Sequence, residues 1–298
     1  MKKIKNAIMS EIEAIVSADF ELLALGKLLS NQQLLLPNMR FHEAGFKIFS
    51  QFDDDGLIQY LIKHIEIENE IFIEFGVQDY SESNTRFLMM NNNWQGFVMD
   101  GSSKNMDELK KQPYFWQYSL SAQAVFIDKD NINDLIAGAG FQNIGILSID
   151  IDGNDAHILE CMDLTIINPA IIIIEYNSLF GIERAISVPY DKHFVRTEKH
   201  YSNQYYGASL KALSHIASKK GYALIGCNNF GNNAYFVRKD LLNGKVYEKA
   251  VEDAYVVCKF REGRDQNGEL ALLSGNARLD SIKGLTVVNV MSGEEEIV

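Results

Sequence analysis

The sequence lacks paired cysteines and long apolar runs, and each absence excludes a class of protein. Cys161, Cys227 and Cys258 are widely spaced and form no metal-type pair, which predicts a protein from inside the cell rather than a disulfide-linked secreted one. No apolar run approaches the ~18 residues of a membrane span. Glu11 and Glu13 interrupt the segment after the basic start, so a signal peptide is not expected. These features predict a cytoplasmic chain with no membrane span.

Basic residues are also scarce. The chain has 28 Lys and Arg against 40 Asp and Glu, a net charge of −12, and no basic cluster follows the first five residues. Because phosphate contacts need a concentrated basic face, the sequence argues against a nucleic-acid partner. Its 298 residues, of which 47% are hydrophobic, suffice for one large domain or two small ones with a full core.

The residue pattern divides the chain into three predicted zones. Residues 1–50 form a helical N-terminal extension that stops near Pro37, with apolar residues at helical spacing at Ile12, Ile15, Val16, Phe20, Leu22 and Leu23. Residues 51–240 alternate strand-like and helix-like segments, the pattern of a parallel sheet flanked by helices. Residues 241–298 form an irregular tail with short strand-like runs such as 285–290, and we expect it to pack on the same domain.

Seven strands are predicted in the central zone. They are 71–75, 96–100, 122–127, 144–151, 170–175, 222–226 and 233–237. The Asn- and Gly-rich segment 227–233 favours an antiparallel pair for the last two, whereas the near-continuous apolar runs before it are typical of buried parallel strands. The fold class predicted is α/β, with a mostly parallel seven-stranded sheet flanked by helices.

Acidic residues close the first two strands of this sheet. Glu74 and Gly76 end the first strand and Asp100 ends the second, at the edge where open α/β sheets bind ligands. A carboxylate at the second position can accept hydrogen bonds from ribose hydroxyls, which indicates a nucleoside-containing cofactor. The turn 76–84 has one glycine, too few for the pyrophosphate of a dinucleotide. It suits S-adenosylmethionine better, although NAD and an ordinary turn without a ligand stay open.

A second group of acids follows the fourth strand. Asp150, Asp152 and Asp155 end the run that begins at 146. An extended chain would put Asp150 and Asp152 on the same side, roughly 6–7 Å apart. Such acids are costly unless a cation or a hydrogen-bonding ligand lies between them. The glycine and glutamate positions of an EF-hand loop are not present, and helix capping by Asn154 or Asp155 explains only one of these residues.

The fifth strand ends in the same kind of side chain. Four isoleucines lead directly into Glu175 and Asn177, which we expect to face the same crevice as Asp150 and Asp152. These four residues are the candidate ligands of a Mg²⁺ ion that would lie against a substrate oxygen. Direct hydrogen bonding of a polyol substrate explains the same residues equally well.

The segment 187–209 has the position of a substrate loop in an α/β sheet. It contains His200, Tyr201 and Tyr206. His200 suits a general base acting on a substrate hydroxyl, because the usual pKa of histidine lies near neutrality. Packing of the aromatic residues, with the histidines at the surface, is the alternative.

Several of these motifs together resemble the FkbM-type group of S-adenosylmethionine-dependent methyltransferases, especially bacterial members associated with cell-surface polysaccharide biosynthesis. The resemblance covers residues 45–240 and is carried by the segments 49–56, 74–77, 94–102, 147–155, 174–177 and 200–209. It implies a Rossmann-like class I methyltransferase fold. The implied reaction is transfer to a hydroxyl of a sugar or nucleotide-linked sugar.

The resemblance also implies roles for individual residues. It puts Glu74 and Gly76 beside the cofactor and Asp100 on its ribose, with Ser50, Gln51 and Asp55 near the methionine end. Gly101 and Asp150 complete the predicted cofactor set. Asp53 and Asp54 depart from the family, since similar sequences have glycine and glutamate there, and this departure affects the expected contacts of the entry loop.

Methyl transfer from a sulfonium requires the acceptor oxygen to be aligned with the methyl group and its proton removed or stabilised. We expect Asp152, Glu175, Asn177, Tyr201 and Tyr206 to bind the acceptor, with Asp152 and His200 as the catalytic residues. An NAD-dependent oxidoreductase and a non-catalytic partner protein with this fold are the competing classes. A homo-oligomer is compatible with the N-terminal helix, which can pack on its own domain or on a second copy.

Overall fold

The computed structural model describes the backbone of residues 2–298 and the side chains of residues 18–298. The helices are α1 Lys2–Leu34, α2 Asp54–His64, α3 Arg86–Asn92, α4 Ser103–Leu109, α5 Pro113–Gln117, α6 Ile132–Gly138, α7 Asp155–Cys161, α8 Arg196–Lys199, α9 Leu210–Lys219, α10 Val251–Ala254 and α11 Asn276–Asp280. The strands are β1 Asn69–Phe75, β2 Gln95–Asp100, β3 Leu120–Ala124, β4 Ile144–Ile149, β5 Ile171–Glu175, β6 Ile186–Ser187, β7 Tyr222–Cys227, β8 Asn233–Arg238, β9 Thr286–Asn289 and β10 Glu295–Ile297.

The main sheet has seven strands in the order β3-β2-β1-β4-β5-β8-β7. Strands β1 to β5 pair in parallel, and β8 is antiparallel to both β5 and β7. Every residue of β4 and β5 is buried, because apolar clusters cover both faces of the sheet. The predicted Rossmann-like architecture, mostly parallel and flanked by helices, is confirmed, as is the antiparallel pairing of its last two strands.

Two strands end two or more residues before their predicted ends. β3 covers 120–124 rather than 122–127, and β4 ends at Ile149 rather than at residue 151. The extended geometry expected for Asp150 and Asp152 is therefore wrong. The Asp155 carboxylate accepts hydrogen bonds from the backbone N–H groups of Ile151 (2.8 Å) and Gly153 (2.9 Å). These bonds fold the chain into a turn, with Asp152 at φ +59°.

The N-terminal helix packs on its own chain where its side chains are described. Ser30 donates a hydrogen bond to Gln59 of α2, and Gln33 donates to the carbonyls of Ala44 and Gly56. The same helix exposes the large apolar residues Phe20, Leu25, Leu28 and Leu34. Three of the apolar positions used to predict this helix, Ile12, Ile15 and Val16, lie outside the residues whose side chains are described.

The C-terminal segment adds a small sheet, in which β9 pairs with β6 and with β10. β9 lies within the strand-like run predicted at 285–290. The segment also contacts the main sheet, where the Tyr176 hydroxyl donates to the Val256 carbonyl at 2.6 Å. Among the described residues, no helix combines the length and apolarity needed to cross a membrane.

Candidate functional site

The loops that follow β1 and β4 are in direct contact at Gly76. Its φ is +73°, and a Cβ at this position would lie 1.5 Å from the carbonyl oxygen of Asp150. The Gly76 N–H donates to the carbonyl of Met99 in β2 at 2.8 Å. Only glycine fits this left-handed, crowded position, so the sequence forces three strand ends to converge here.

Asp100, at the end of β2, is held in place by the backbone. Its two carboxylate oxygens accept hydrogen bonds from the N–H groups of Gln78 and Ser102, each at 2.8 Å. Oδ1, which accepts from Ser102, also accepts a long 3.5 Å bond from the Asn105 side-chain amide, whereas Oδ2 keeps a second lone pair that can accept from a ligand. Asp100 is therefore oriented at the carboxyl edge of the sheet, with its carboxylate shared between the loops after β1 and β2.

Three adjoining pockets lie along this edge, and Gly76, Gln78 and Asp150 line all three. The Asn84 pocket is further lined by Gln51, Glu74, Asn84, Asn232 and Asn233. The Phe126 pocket is further lined by Met99, Asp100, Gly101, Val125, Phe126, Ile127, Asp152 and Phe194. The acidic pocket is further lined by Gln51, Asp152, Glu175, Arg196, Tyr206, Asn232, Phe260 and Glu262.

The pockets differ in chemistry in a way that matches a composite ligand. The Phe126 pocket combines aromatic and aliphatic walls with the carboxylates of Asp100, Asp150 and Asp152, which suits a flat apolar ring attached to a hydroxyl-bearing group. The Asn84 pocket is polar, with amide side chains from Gln51, Asn84 and Asn232. Gly76 and Asp150 lie where these two pockets meet the acidic pocket. A ligand with an apolar ring at one end and a zwitterionic group at the other fits across this junction.

Glu74 is in the wall of the Asn84 pocket, but its carboxylate is engaged by its own loop. It accepts hydrogen bonds from the Ser83 hydroxyl (2.8 Å), the Asn84 N–H (2.9 Å) and the Thr85 hydroxyl. Burial raises the pKa of Glu74, and its bond with Thr85 opposes that rise. Glu74 thus fixes the start of α3 at the edge of the pocket.

The acids around Gln51 shape the entry loop. Asp55 accepts hydrogen bonds from the N–H groups of Ile48, Phe49 and Ser50 at 2.6–2.9 Å. Asp54, one of the two residues that depart from the family, is fully buried and accepts a 2.6 Å bond from the Tyr235 hydroxyl.

The other departing residue, Asp53, contacts Asn229, which donates to it through its backbone and its side chain. Gln51 is the residue of this segment that lines the pockets. None of the three pockets is lined by Asp53, Asp54 or Asp55, whose carboxylates form hydrogen bonds within the protein that hold the entry loop.

The acidic pocket gathers four carboxylates around one cation. The Arg196 guanidinium donates to Asp152 Oδ1 at 3.0 Å and to Glu262 Oε1 at 2.7 Å, and its Nη1 lies 4.0 Å from Glu175 Oε1. Burial raises the pKa of Asp150, and the charge of Asp152 raises it further. The pKa of Glu175 is raised by its burial and then by the charge of Asp150. The pocket holds more negative than positive charge.

Three of the four predicted metal ligands come together. Asp150, Asp152 and Glu175 each offer one oxygen within 4.8 Å of the others. Asn177 does not join them, because its side-chain amide donates to the carbonyls of Gln204 (2.9 Å) and Tyr206 (3.0 Å). Its side-chain oxygen accepts from the Leu179 N–H at 3.0 Å. Asn177 therefore fixes the substrate loop instead of facing the pocket.

The aromatic residues of the predicted substrate loop separate. Tyr206 is buried in the wall of the acidic pocket, and its ring lies 3.7 Å from the Arg196 guanidinium carbon. Tyr201 is 43% exposed and packs against the His200 ring. Nδ1 of His200 lies 2.7 Å from the Ser202 hydroxyl. Neither His200 nor Tyr201 lines the three pockets, so their predicted roles stay predictions without a contact to the acidic residues.

Arg196 and Glu262 are site residues that sequence reasoning missed. Arg196 lies in the loop singled out for its histidines and tyrosines, which also contains Lys192 and Lys199, and no pattern in the sequence separates Arg196 from them. Glu262 lies in the irregular tail, 66 residues from its partner. No local pattern points to it, because only the folded chain brings the tail to the pocket.

No family model and no curated protein matches the chain. Similar solved structures include the O-methyltransferase from Bacillus cereus in complex with SAH, at 13% identity and a TM-score of 0.44, with 74% of this chain and 89% of that chain covered. The N-terminal domain of EvdMO1 with SAH bound is similar at 11% identity and a TM-score of 0.41, covering 70% and 93% respectively.

A third similar structure is the geranyl diphosphate C-methyltransferase from Streptomyces coelicolor A3(2), in complex with Mg²⁺, geranyl diphosphate and S-adenosyl-L-homocysteine. It has 8% identity and a TM-score of 0.36, with 56% of this chain and 58% of that chain covered. All three TM-scores are below 0.5, so these similarities do not assign a family or an activity to the chain.

Proposed function

We propose that the protein is an S-adenosylmethionine-dependent methyltransferase acting on a hydroxyl of a sugar or nucleotide-linked sugar. The observation that carries this proposal is the junction of three pockets at Gly76, Gln78 and Asp150. It lies at the carboxyl ends of parallel strands, the usual ligand site of open α/β sheets. Two of the pockets match the two ends of the cofactor, and the third leaves room for an acceptor.

The lining residues fit S-adenosylmethionine end by end. Phe126 and Met99 offer an apolar surface to an adenine ring, with Gly101 at the same wall, and Asp100 is oriented to accept hydrogen bonds from ribose hydroxyls. Gln51 and Asn232 offer polar groups to the amino-acid end. Bound there, the cofactor supplies an electrophilic methyl group carried on a sulfonium. A second indication is the single glycine of the turn after β1, which suits this cofactor better than a pyrophosphate.

The acidic pocket supplies the groups for a polyol acceptor. Asp152, whose side chain is 52% exposed, can accept a hydrogen bond from an acceptor hydroxyl and orient its oxygen. Glu175 offers a second, buried acceptor, and the Tyr206 ring forms part of the wall. Several carboxylates in one pocket match a ligand rich in hydroxyl donors. We keep His200 as the proposed general base, acting after a movement of its loop, with Asp152 as the other candidate.

We further propose that the chain is related to the FkbM-type methyltransferases of cell-surface polysaccharide biosynthesis and works in the cytoplasm. This rests on the sequence motifs at 74–77, 94–102, 147–155 and 174–177, which meet around the junction. The division of the chain at residues 50 and 240 stays a prediction. So does the homo-oligomer, which the exposed apolar residues of α1 favour.

A methyl-transfer assay tests the reaction and the acceptor class together. The protein is incubated with S-adenosylmethionine carrying a labelled methyl group and a panel of nucleotide-linked sugars, with the nucleotides alone as a control. We expect label in a sugar product, and Asp152→Asn should lower turnover while S-adenosylhomocysteine affinity is kept. Equal losses of cofactor affinity and turnover would move Asp152 to the cofactor site. Label in the nucleotide alone would reject the sugar acceptor.

A further inference from the structure

Glu175 has a buried carboxylate oxygen without a partner. The residue ends β5 and is 7% exposed, and its Oε2 forms no hydrogen bond with the described residues. Its Oε1 is 4.0 Å from Arg196 Nη1, too far for a hydrogen bond. A buried carboxylate is rarely left in this state, because desolvation penalises the charge unless a donor or a cation compensates it. A donor or a cation from outside the described residues is expected at Oε2.

The surrounding oxygens have the spacing of a cation site. Asp150, Asp152 and Glu175 each contribute an oxygen, and these lie within 4.8 Å of one another. Oxygens on opposite sides of a hard divalent cation are about 4–5 Å apart, twice the metal–oxygen distance of Mg²⁺ or Ca²⁺. Carboxylates are the ligands that such ions prefer. The three acids come from two neighbouring strand ends, so the sheet holds them together without a metal.

Arg196 does not fill this position. Its Nε donates to the Asn203 carbonyl at 2.8 Å, and its two terminal nitrogens donate to Asp152 and Glu262. The guanidinium also lies over the Tyr206 ring, which fixes its plane. Arg196 therefore pairs most closely with Asp152 and Glu262, lies 4.0 Å from Glu175, and leaves Asp150 without a salt bridge to any cation of the described residues.

We propose that Asp150, Asp152 and Glu175 bind one hard divalent cation, Mg²⁺, Mn²⁺ or Ca²⁺, at the junction of the three pockets. The role of this cation, which is to hold the acceptor oxygen beside the cofactor pocket, rests on the proposed function. The binding of the cation does not. The competing occupant of the same space is a proton shared between Asp150 and Glu175, which would satisfy the buried oxygen without a metal. The two occupants differ in whether the protein takes up a metal ion.

Manganese binding tests the proposal without any cofactor present. The full chain is treated with EDTA, exchanged into metal-free buffer and titrated with Mn²⁺ while electron paramagnetic resonance follows the free ion. We expect one site per chain, competed by Mg²⁺ or Ca²⁺. Glu175→Gln should weaken Mn²⁺ binding at least about 10-fold. Glu262→Gln removes the same charge from the same pocket outside the three-acid group, so it should change the affinity less than about 3-fold.

Two results would overturn the proposal. One is the absence of saturable Mn²⁺ binding up to millimolar concentrations, which would favour the shared proton. The other is an equal loss in Glu175→Gln and Glu262→Gln, which would mean general attraction of cations to an acidic surface. Asp152→Asn serves as a second ligand variant, since its exposed side chain makes it the safest to replace if Glu175→Gln does not fold. Calorimetric titration with S-adenosylhomocysteine in EDTA tests the proposed function separately from this metal site.

Discussion

Gly76 and Asp150 are packed so closely that a Cβ at residue 76 would lie 1.5 Å from the Asp150 carbonyl oxygen. This contact joins the loop after β1 to the loop after β4. Both residues also line all three pockets of the candidate site. The geometry of the whole junction therefore depends on a residue without a side chain.

The first prediction concerns this glycine. Gly76→Ala places a methyl group against backbone at a φ of +73°, so the loops must separate. We expect the free energy of unfolding to fall by about 3 kcal/mol, as strain and overlap combine, and S-adenosylhomocysteine binding to be lost. Urea unfolding and calorimetry measure the two effects.

Gly138→Ala is the matched control for that change. A Cβ at Gly138 meets no atom within 4 Å, and the residue ends α6. We expect the free energy of unfolding to stay unchanged or to rise by up to about 1 kcal/mol. If the two alanine variants behaved alike, the close contact between Gly76 and Asp150 would be refuted.

The second prediction concerns Asn177 as the residue that holds the substrate loop. Asn177→Asp keeps the oxygen that accepts from Leu179 but removes the amide that donates to Gln204 and Tyr206. Amide hydrogen exchange in the segment 200–209 should become faster, while S-adenosylhomocysteine affinity is kept. Unchanged exchange in that segment would show that other contacts hold the loop.

The third prediction concerns the cation of the acidic pocket. Arg196→Met leaves Asp152, Glu175 and Glu262 without their positive partner, and removing one member of a buried ion pair is strongly destabilising. Because Asp152 and Glu262 are partly exposed, we expect a loss of about 2 kcal/mol in the free energy of unfolding. Adding Glu262→Gln should restore part of it, which a double-mutant cycle measures.

Arg40→Met is the control, because it removes a surface salt bridge of similar length to those of Arg196. Arg40 and Glu43 are 2.6 Å apart but largely exposed, and such surface pairs contribute little to stability. No measurable change is expected. A loss as large as that of Arg196→Met would mean that the burial of Arg196 is not what makes it important.

The fourth prediction is a pH dependence of stability from Asp55. Burial raises the pKa of this carboxyl to about 7 in the folded chain, against the opposing hydrogen bonds from the backbone of Ile48 and its neighbours. The folded state then binds the proton more tightly than the unfolded state. Its contribution to stability is fully present below about pH 4, the unfolded pKa, and is lost as the pH rises through 7.

Urea unfolding of the wild type and Asp55→Asn at pH 4.5 and pH 8 measures this effect. The stability of the wild type relative to the variant should decrease with rising pH, by up to about 4 kcal/mol over the full window. A difference that grows with pH would show that the hydrogen bonds of Ile48, Phe49 and Ser50 keep the carboxylate ionised at low pH.

The sequence was enough to predict the sheet because its strands are encoded locally. The isoleucine run before Glu175 and the apolar run before Asp150 mark buried parallel strands, and acids at strand ends must converge at one edge. The turn at Asp152 was not predicted, because it depends on hydrogen bonds from Ile151 and Gly153 to the Asp155 carboxylate. The alternation of side chains along an extended strand, on which the prediction was based, contains no information about such a turn.

Long-range contacts account for the other differences. The side-chain amide of Asn177 donates to carbonyls 27 and 29 residues away. An asparagine at a strand end was predicted to be a metal ligand, but in the fold it holds the substrate loop. Glu262 enters the site from a tail that shows no periodicity. Both outcomes depend on which loops meet in space, which a single sequence does not encode in any local motif.

Calorimetric titration of the purified chain with S-adenosylhomocysteine, and separately with NAD⁺, in EDTA shows which cofactor the pocket junction binds. We expect micromolar binding of S-adenosylhomocysteine at one site per chain and no measurable binding of NAD⁺. Asp100→Ala, which loses the ribose acceptor, should bind S-adenosylhomocysteine at least about 10-fold more weakly. Binding of NAD⁺ in its place, or of neither compound, would contradict the methyltransferase assignment.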